Sequence, residues 1–304
     1  MNTVELNKVC KTYDKFVAVD SLTFNIGHGK MFGLLGPNGA GKTSTIRMMI
    51  GITMPDTGSV TLFGQNFDRS LLKRVGYLPE ERGLYPKMKV IDQLVFMGEI
   101  HGLSAFDAKK RAQSWGERLE IAHAYDKKTQ ELSKGMQQKI QFIATLLHEP
   151  ELIIMDEPAS GLDPSNARLL EDVLNDLRKQ GRTILFSSHR MDQVEKLCDD
   201  ICLINKSKSV LQGNLKEIKA SYGKNTLEIW FAADNTGDAS YLQTMTGVTH
   251  FEENAGHCRL KLTPGTDPHP ILKMVTERSR ITKFEVVEPS LEDIFIEVVG
   301  RSDA

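Results

Sequence analysis

The stretch "KMFGLLGPNGAGKTSTIRMMIG", Lys30 to Gly51, constrains the fold more than any other part of the chain. A short apolar run closes on Gly36, a glycine-rich turn follows, and Ile46, Met49 and Ile50 then recur at helical spacing, so strand, tight loop and helix are expected in that order. Gly36 to Ser44 fits G-x-x-x-x-G-K-[ST], a pattern that carries meaning only between such flanks. Gly36, Gly39 and Gly41 let successive N–H groups turn inward on an anion, Lys42 brings a positive charge to β- and γ-phosphates, and the helix N terminus adds its dipole. Thr43 has a hydroxyl where magnesium would be held. The expected nucleotide-binding residues are therefore Gly36, Pro37, Asn38, Gly39, Ala40, Gly41, Lys42, Thr43 and Ser44, against the plainer reading of a structural strand-to-helix turn.

Two further apolar runs read as buried strands of a parallel sheet. "LIIM", Leu152 to Met155, ends in Asp156 and Glu157, the first placed for a magnesium shell and the second for a general base facing a γ-phosphate. "TILFSS", Thr183 to Ser188, ends at His189, from which an imidazole can reach a phosphate oxygen or the attacking water. Strand-terminating acids and a structural histidine are the plainer alternatives. Between about 91 and 147 the pattern is helical, and "ICLINKSKSVLQG" predicts two strands around a polar turn, with a helix over 215–222. The first domain is expected to span 1–222. From 223 to 304 a smaller α+β unit is expected, with strands at 226–232, 257–263 and 281–287 and a helix at 270–279. Its last helix opens with Ser290 and Asp293 at capping-box spacing, followed by an apolar stripe of Leu291, Ile294, Phe295 and Val298.

A chain of 304 residues accommodates two such cores, and 26% charged residues with a net charge of −2 argue against a nucleic-acid partner. No stretch approaches the ~18 apolar residues of a membrane span, and the opening has no signal-peptide pattern, so a cytoplasmic location is expected. The four cysteines have no metal-ligand or disulfide spacing and read as structural thiols.

With "LSKGMQQK" at 132–139 and "SGLDP" at 160–164 standing between the glycine loop and His189, the chain resembles the ATP-binding subunits of ABC transporters over roughly residues 1–220. The resemblance implies an α/β P-loop NTPase core, built as an ABC ATPase cassette with a β-subdomain and an α-helical insert, ahead of the small α+β extension. It implies an ATPase that uses ATP and Mg2+, dimerises on ATP, as a homodimer or with a second ATP-binding subunit, and drives a separate transmembrane permease from the cytoplasmic face. Ser133 and Gly135 would meet the γ-phosphate held by the other subunit, with Asp163 at the same interface; Lys134 and Met136 depart from the family's usual glycine and glutamine. Tyr13 is similar to the aromatic that stacks on adenine. In "YLPEERGLYP", 77–86, Glu80 stands where the family carries a magnesium-touching glutamine, with Glu81 solvated beside it. That variant and the "EPSLEDIFIEVVG" ending resemble the exporter branch that includes sodium-efflux ATPases. A soluble ABC ATPase acting on ribosomes or DNA is the alternative, disfavoured by a single cassette without heptads. A small-molecule kinase leaves "LSKGMQQK" and "SGLDP" without a purpose.

Overall fold

A computed structural model describes residues 2–302 apart from 82, 160, 224 and 233–238. It divides into two compact units, Met1–Asn214 and Leu215–Ala304.

The first unit opens with a long hairpin, β1 (Asn2–Tyr13) and β2 (Phe16–Gly27), and passes to β3 (Met31–Leu35), every residue of which is buried. The helix α1 (Lys42–Met49) begins directly after the glycine loop. Two strands, β4 (Thr57–Leu62) and β5 (Gln65–Asn66), return to the hairpin, giving an antiparallel sheet in the order β2-β1-β4-β5. Alternation of buried and exposed residues along these strands gives that sheet one core face. Phe24 on β2 stacks on Phe32 of β3 at 5.0 Å, and Ile46 and Met49 of α1 join the same core.

After β6 (Val75–Leu78) come the helices α2 (Val90–Ile100), α3 (Ala105–Arg118) and α4 (Lys134–Leu146), the helical insert of the sequence reading. The chain re-enters the sheet at β7 (Leu152–Asp156), crosses by α5 (Pro164–Lys179) to β8 (Thr183–Ser188), and by α6 (Met191–Leu197) to β9 (Asp200–Asn205) and β10 (Lys208–Asn214). The order is β10-β9-β3-β8-β7-β6, all parallel except β10, with β3 inside the sheet. The loops carrying Gly36 to Ser44, Glu80, Asp156 with Glu157, and His189 each leave the carboxyl end of a parallel strand, where open α/β sheets bind ligands.

The second unit takes in the helix α7 (Leu215–Tyr222), then β11 (Thr226–Phe231), β12 (Val248–Asn254), β13 (His257–Leu262), α8 (His269–Arg278), β14 (Ile281–Val287) and α9 (Leu291–Ser302). With a short 3₁₀ turn at Ser240–Thr244 standing for the first helix, β11 to β14 follow the β-α-β-β-α-β order in an antiparallel sheet, β12-β13-β11-β14. The edge strand β12 is absent from the sequence reading because most of its residues are exposed and give no apolar alternation. The capping box of α9 is complete: Ser290 Oγ accepts from Asp293 N at 3.1 Å and Ser290 N donates to Asp293 Oδ2 at 2.9 Å.

Candidate functional site

The glycine loop takes its shape from backbone that only glycine adopts readily. Gly41 has φ 113°, and a Cβ there would overlap the Ala18 carbonyl oxygen of β2. Beyond it, Lys42 is buried, and its Nζ donates to Gly36 O (2.8 Å) and Pro37 O (3.2 Å). These bonds hold a desolvated ammonium against the carbonyls of the glycine loop itself. Thr43 Oγ1 donates to Asp156 Oδ2 at 2.8 Å, and Ser187 Oγ donates to the other carboxylate oxygen of Asp156. The register that sets Asp156 opposite Ser187 in the β7–β8 ladder makes this possible.

Glu157 follows with φ 51°, a left-handed conformation uncommon outside glycine and asparagine. Its N–H is held by Ser187 Oγ at 3.1 Å, and its carboxylate lies 3.7 Å from Lys42 Nζ and 3.0 Å from His189 Nδ1. Glu157 is buried whereas the His189 side chain is 52% exposed, so a buried carboxylate is linked to a solvent-facing imidazole.

A cleft of about 300 Å³ gathers these groups. Asn38 to Ser44 line it along with Glu80, Asp156 and Glu157, so Glu80 shares the cavity with the P-loop. Tyr13, 39% exposed, is absent from the lining; its cross-strand neighbour Phe16, 59% exposed, is present together with Ala18. Phe16 and Ser187 are the residues that sequence reasoning passed over. An aromatic three residues past Tyr13, and a hydroxyl ending an apolar run beside β7, were the available clues.

Ser133, Gly135 and Asp163 do not line this cleft. Ser133 is the N-cap of α4, its Oγ accepting from Met136 N at 3.3 Å, so the helix starts two residues before Met136. A side chain at Gly135 would come against Leu162 (3.8 Å) and Asn166 (3.9 Å), which places the start of α4 beside the start of α5. Asp163 caps α5 through Ser165 N and Asn166 N, both at 3.0 Å. The Asn166 backbone N–H, followed by the Asn166 side chain, holds the Asp163 carboxyl below the usual carboxylate range. Ser160, the first residue of the "SGLDP" segment, lies outside the described residues.

Among the described residues no group of three His, Cys, Asp or Glu side chains could hold a metal ion by itself. The donors in the cleft are nonetheless hard oxygens, with the Thr43 hydroxyl already pointed at Asp156 and Glu80 in the same cavity. That set fits magnesium, which takes one or two carboxylates and completes its shell with phosphate oxygens and water.

A P-loop after an inner strand of a parallel sheet, carboxylates at a strand end of the same sheet edge and a helical insert that closes with a serine-capped helix define a nucleotide-hydrolysing cassette. The ABC transporter family matches residues 19–160, and the C-terminal domain of DrrA1-3-like ATP-binding proteins matches 213–299. The ABC transporter ATP-binding protein YhaQ of Bacillus subtilis is 46% identical over 97% of this chain and 98% of its own length. Nod factor export ATP-binding protein I of Paraburkholderia xenovorans is 32% identical over 98% of this chain and 97% of its own. A solved structure of an ATP-binding subunit of an ABC transporter superposes with a TM-score of 0.68 at 28% identity, covering 73% of this chain and 93% of that one. The chain belongs to the ATP-binding subunits of ABC transporters, and it is an ATPase whose nucleotide and metal are ATP and Mg2+.

Proposed function

We propose that this subunit dimerises on ATP and drives a separate membrane permease, in the direction of export. The observation that carries the reading is the separation of the P-loop cleft from the serine-capped start of α4, since neither Ser133 nor Gly135 lines the cavity that holds Lys42 and Glu157. A hydroxyl, a glycine N–H and a helix dipole aimed at one anion find that anion in a second cassette closed head-to-tail on the first.

In this reading Gly36 to Ser44 cradle the phosphates, and Lys42 exchanges its loop carbonyls for β- and γ-phosphate oxygens. Thr43, Asp156 and Glu80 stand on the metal side of the cleft, where magnesium neutralises charge on the phosphates when bound. Glu157 takes the proton of the attacking water, and His189 orients its carboxylate through Nδ1. Asp163 organises the α5 end of the dimer interface. Phe16 and Tyr13 supply the aromatic edge for the base.

The permease contact falls on the helical insert and the loop leading into it, where Phe96, Ile100 and Phe106 of the insert and Tyr85 of the loop expose apolar surface. No helix among the described residues is long and apolar enough to cross a membrane, in keeping with a subunit attached to the cytoplasmic face through its partner. Export is supported by the Nod factor export relative. Cargo selection belongs to the permease.

Glu157→Gln should lower hydrolysis by ~10²–10⁴-fold while keeping ATP binding, and should accumulate as an ATP-bound dimer by light scattering. Undiminished hydrolysis would sink the base assignment, and a monomer at saturating ATP would sink the dimer. Co-purification with a multi-span protein tests the permease.

A further inference from the structure

The helix α4 carries polar side chains where an apolar packing face is expected. Gln138, Gln141 and Thr145 are all buried, at spacings that put them on one side of the helix. Each reaches a loop or strand end of the parallel sheet. Gln138 Nε2 donates to Pro158 O at 3.1 Å, one residue past Glu157. Thr145 Oγ1 shares its proton between Gln141 O one turn back, at 3.0 Å, and Tyr77 O of β6, at 3.3 Å. Between them, Gln141 Nε2 donates to both Pro79 O (3.3 Å) and Glu81 O (3.1 Å), the carbonyls on either side of Glu80.

This segment needs such a partner. Leu78 ends β6, Pro79 has no N–H to give, and the chain bends at Glu80 outside any strand ladder. A primary amide presents two N–H donors from one nitrogen, which suits two carbonyls separated by one residue. Packing alone does not account for the choice, because the Gln141 Oε1 is buried with no hydrogen-bond partner among the described residues, a cost that leucine or methionine would avoid. The two donors are what the amide adds.

We propose that Gln141 is a positioning residue for Glu80: by fixing the backbone on both sides it sets the acid's place in the magnesium side of the cleft. The proposal rests on the reading of Glu80 as a metal-side group.

The test is a cycle of wild type, Gln141→Leu, Glu80→Ala and the double variant, all as the full chain. The readout is affinity for a fluorescent ATP analogue with and without Mg2+. Gln141→Leu should leave metal-free affinity unchanged and cut the magnesium-dependent gain by about 3- to 10-fold, the span set by losing one or two ordinary hydrogen bonds. In the Glu80→Ala background it should cut nothing further. An equal loss in both backgrounds would overturn the positioning role, as would a loss confined to metal-free affinity. A magnesium-dependent gain left intact by Glu80→Ala alone would instead overturn the reading of Glu80 on which the proposal stands. Circular dichroism checks folding, and Gln141→Met, closer to glutamine in shape, replaces the leucine variant if that fails to fold.

Discussion

Acid should loosen the helical insert through one pair of rings. His101, which follows α2, and His148, which follows α4, stack at 3.8 Å between centroids with planes 5° apart. The Nε2 of His148 lies 3.0 Å from Val75 O of β6, an acceptor, so that nitrogen carries the proton and Nδ1 is a buried lone pair with no partner among the described residues. A second proton would put charge at Nδ1, against the His101 ring and within the field of Arg111. Burial, then the charge of His101, then Arg111 push the His148 pKa down from 6.5 to about 4, while the bond to Val75 O works against them. His101 is lowered by burial as well. The sign follows from which state binds more protons. The unfolded ring protonates near 6.5 and the folded ring does not, so this stability is whole above pH 6.5 and is lost as pH falls toward 4. At pH 5 the difference amounts to about 2 kcal/mol, trimmed to about 1 because the ring keeps some solvent contact. Trp115 and Trp230 are the two tryptophans of the chain, so in a Trp230→Phe background Trp115 fluorescence reports the first unit alone. Urea unfolding at pH 7.5 and pH 5 should show a larger loss in that background than in its His148→Gln counterpart, whose amide can still donate to Val75 O. Parallel losses in the two proteins would refute the reasoning, because other groups would then carry the pH dependence.

Two further outcomes follow from the cleft. Gly41→Ala forces a left-handed alanine and an overlap with the Ala18 carbonyl oxygen, so urea unfolding should show a loss of about 2–4 kcal/mol and nucleotide affinity should fall at least tenfold; a change under ~0.5 kcal/mol would mean that β2 yields freely. Phe16→Ala should weaken binding of a fluorescent ATP analogue by roughly 1–3 kcal/mol, the worth of a base stacked on an aromatic, and by at least as much as Tyr13→Ala; an effect confined to Tyr13→Ala would return the base to the tyrosine.

Sequence carried the parts of this molecule whose chemistry leaves a fixed spacing. The glycine loop, the acids after "LIIM" and the histidine after "TILFSS" all declare a strand end, and the parallel sheet then brings them to one edge. The hairpin β1–β2 was less legible because its strands are one-sided and bent by left-handed residues at Lys8 and Ser21, which interrupt the period of two. That is why Phe16 was missed: whether it or Tyr13 turns toward the cleft depends on the hairpin's twist. Gln141 was invisible for another reason. A glutamine in a helix reads as a surface residue until the partner segment, sixty residues earlier in the chain, is seen to pass beneath it.

If Glu157 is the base, as proposed, its left-handed backbone sets folding and turnover against each other at a single residue. A glycine there would relax a conformation that costs a carboxylate-bearing residue about 1 kcal/mol or more, and would fold better for it. The base assigned to the reaction therefore sits where the polypeptide itself favours having no side chain. On that proposed role robustness and catalytic competence pull apart at this position, and the bonds from Ser187 to Asp156 and to the Glu157 N–H hold the strained turn in place.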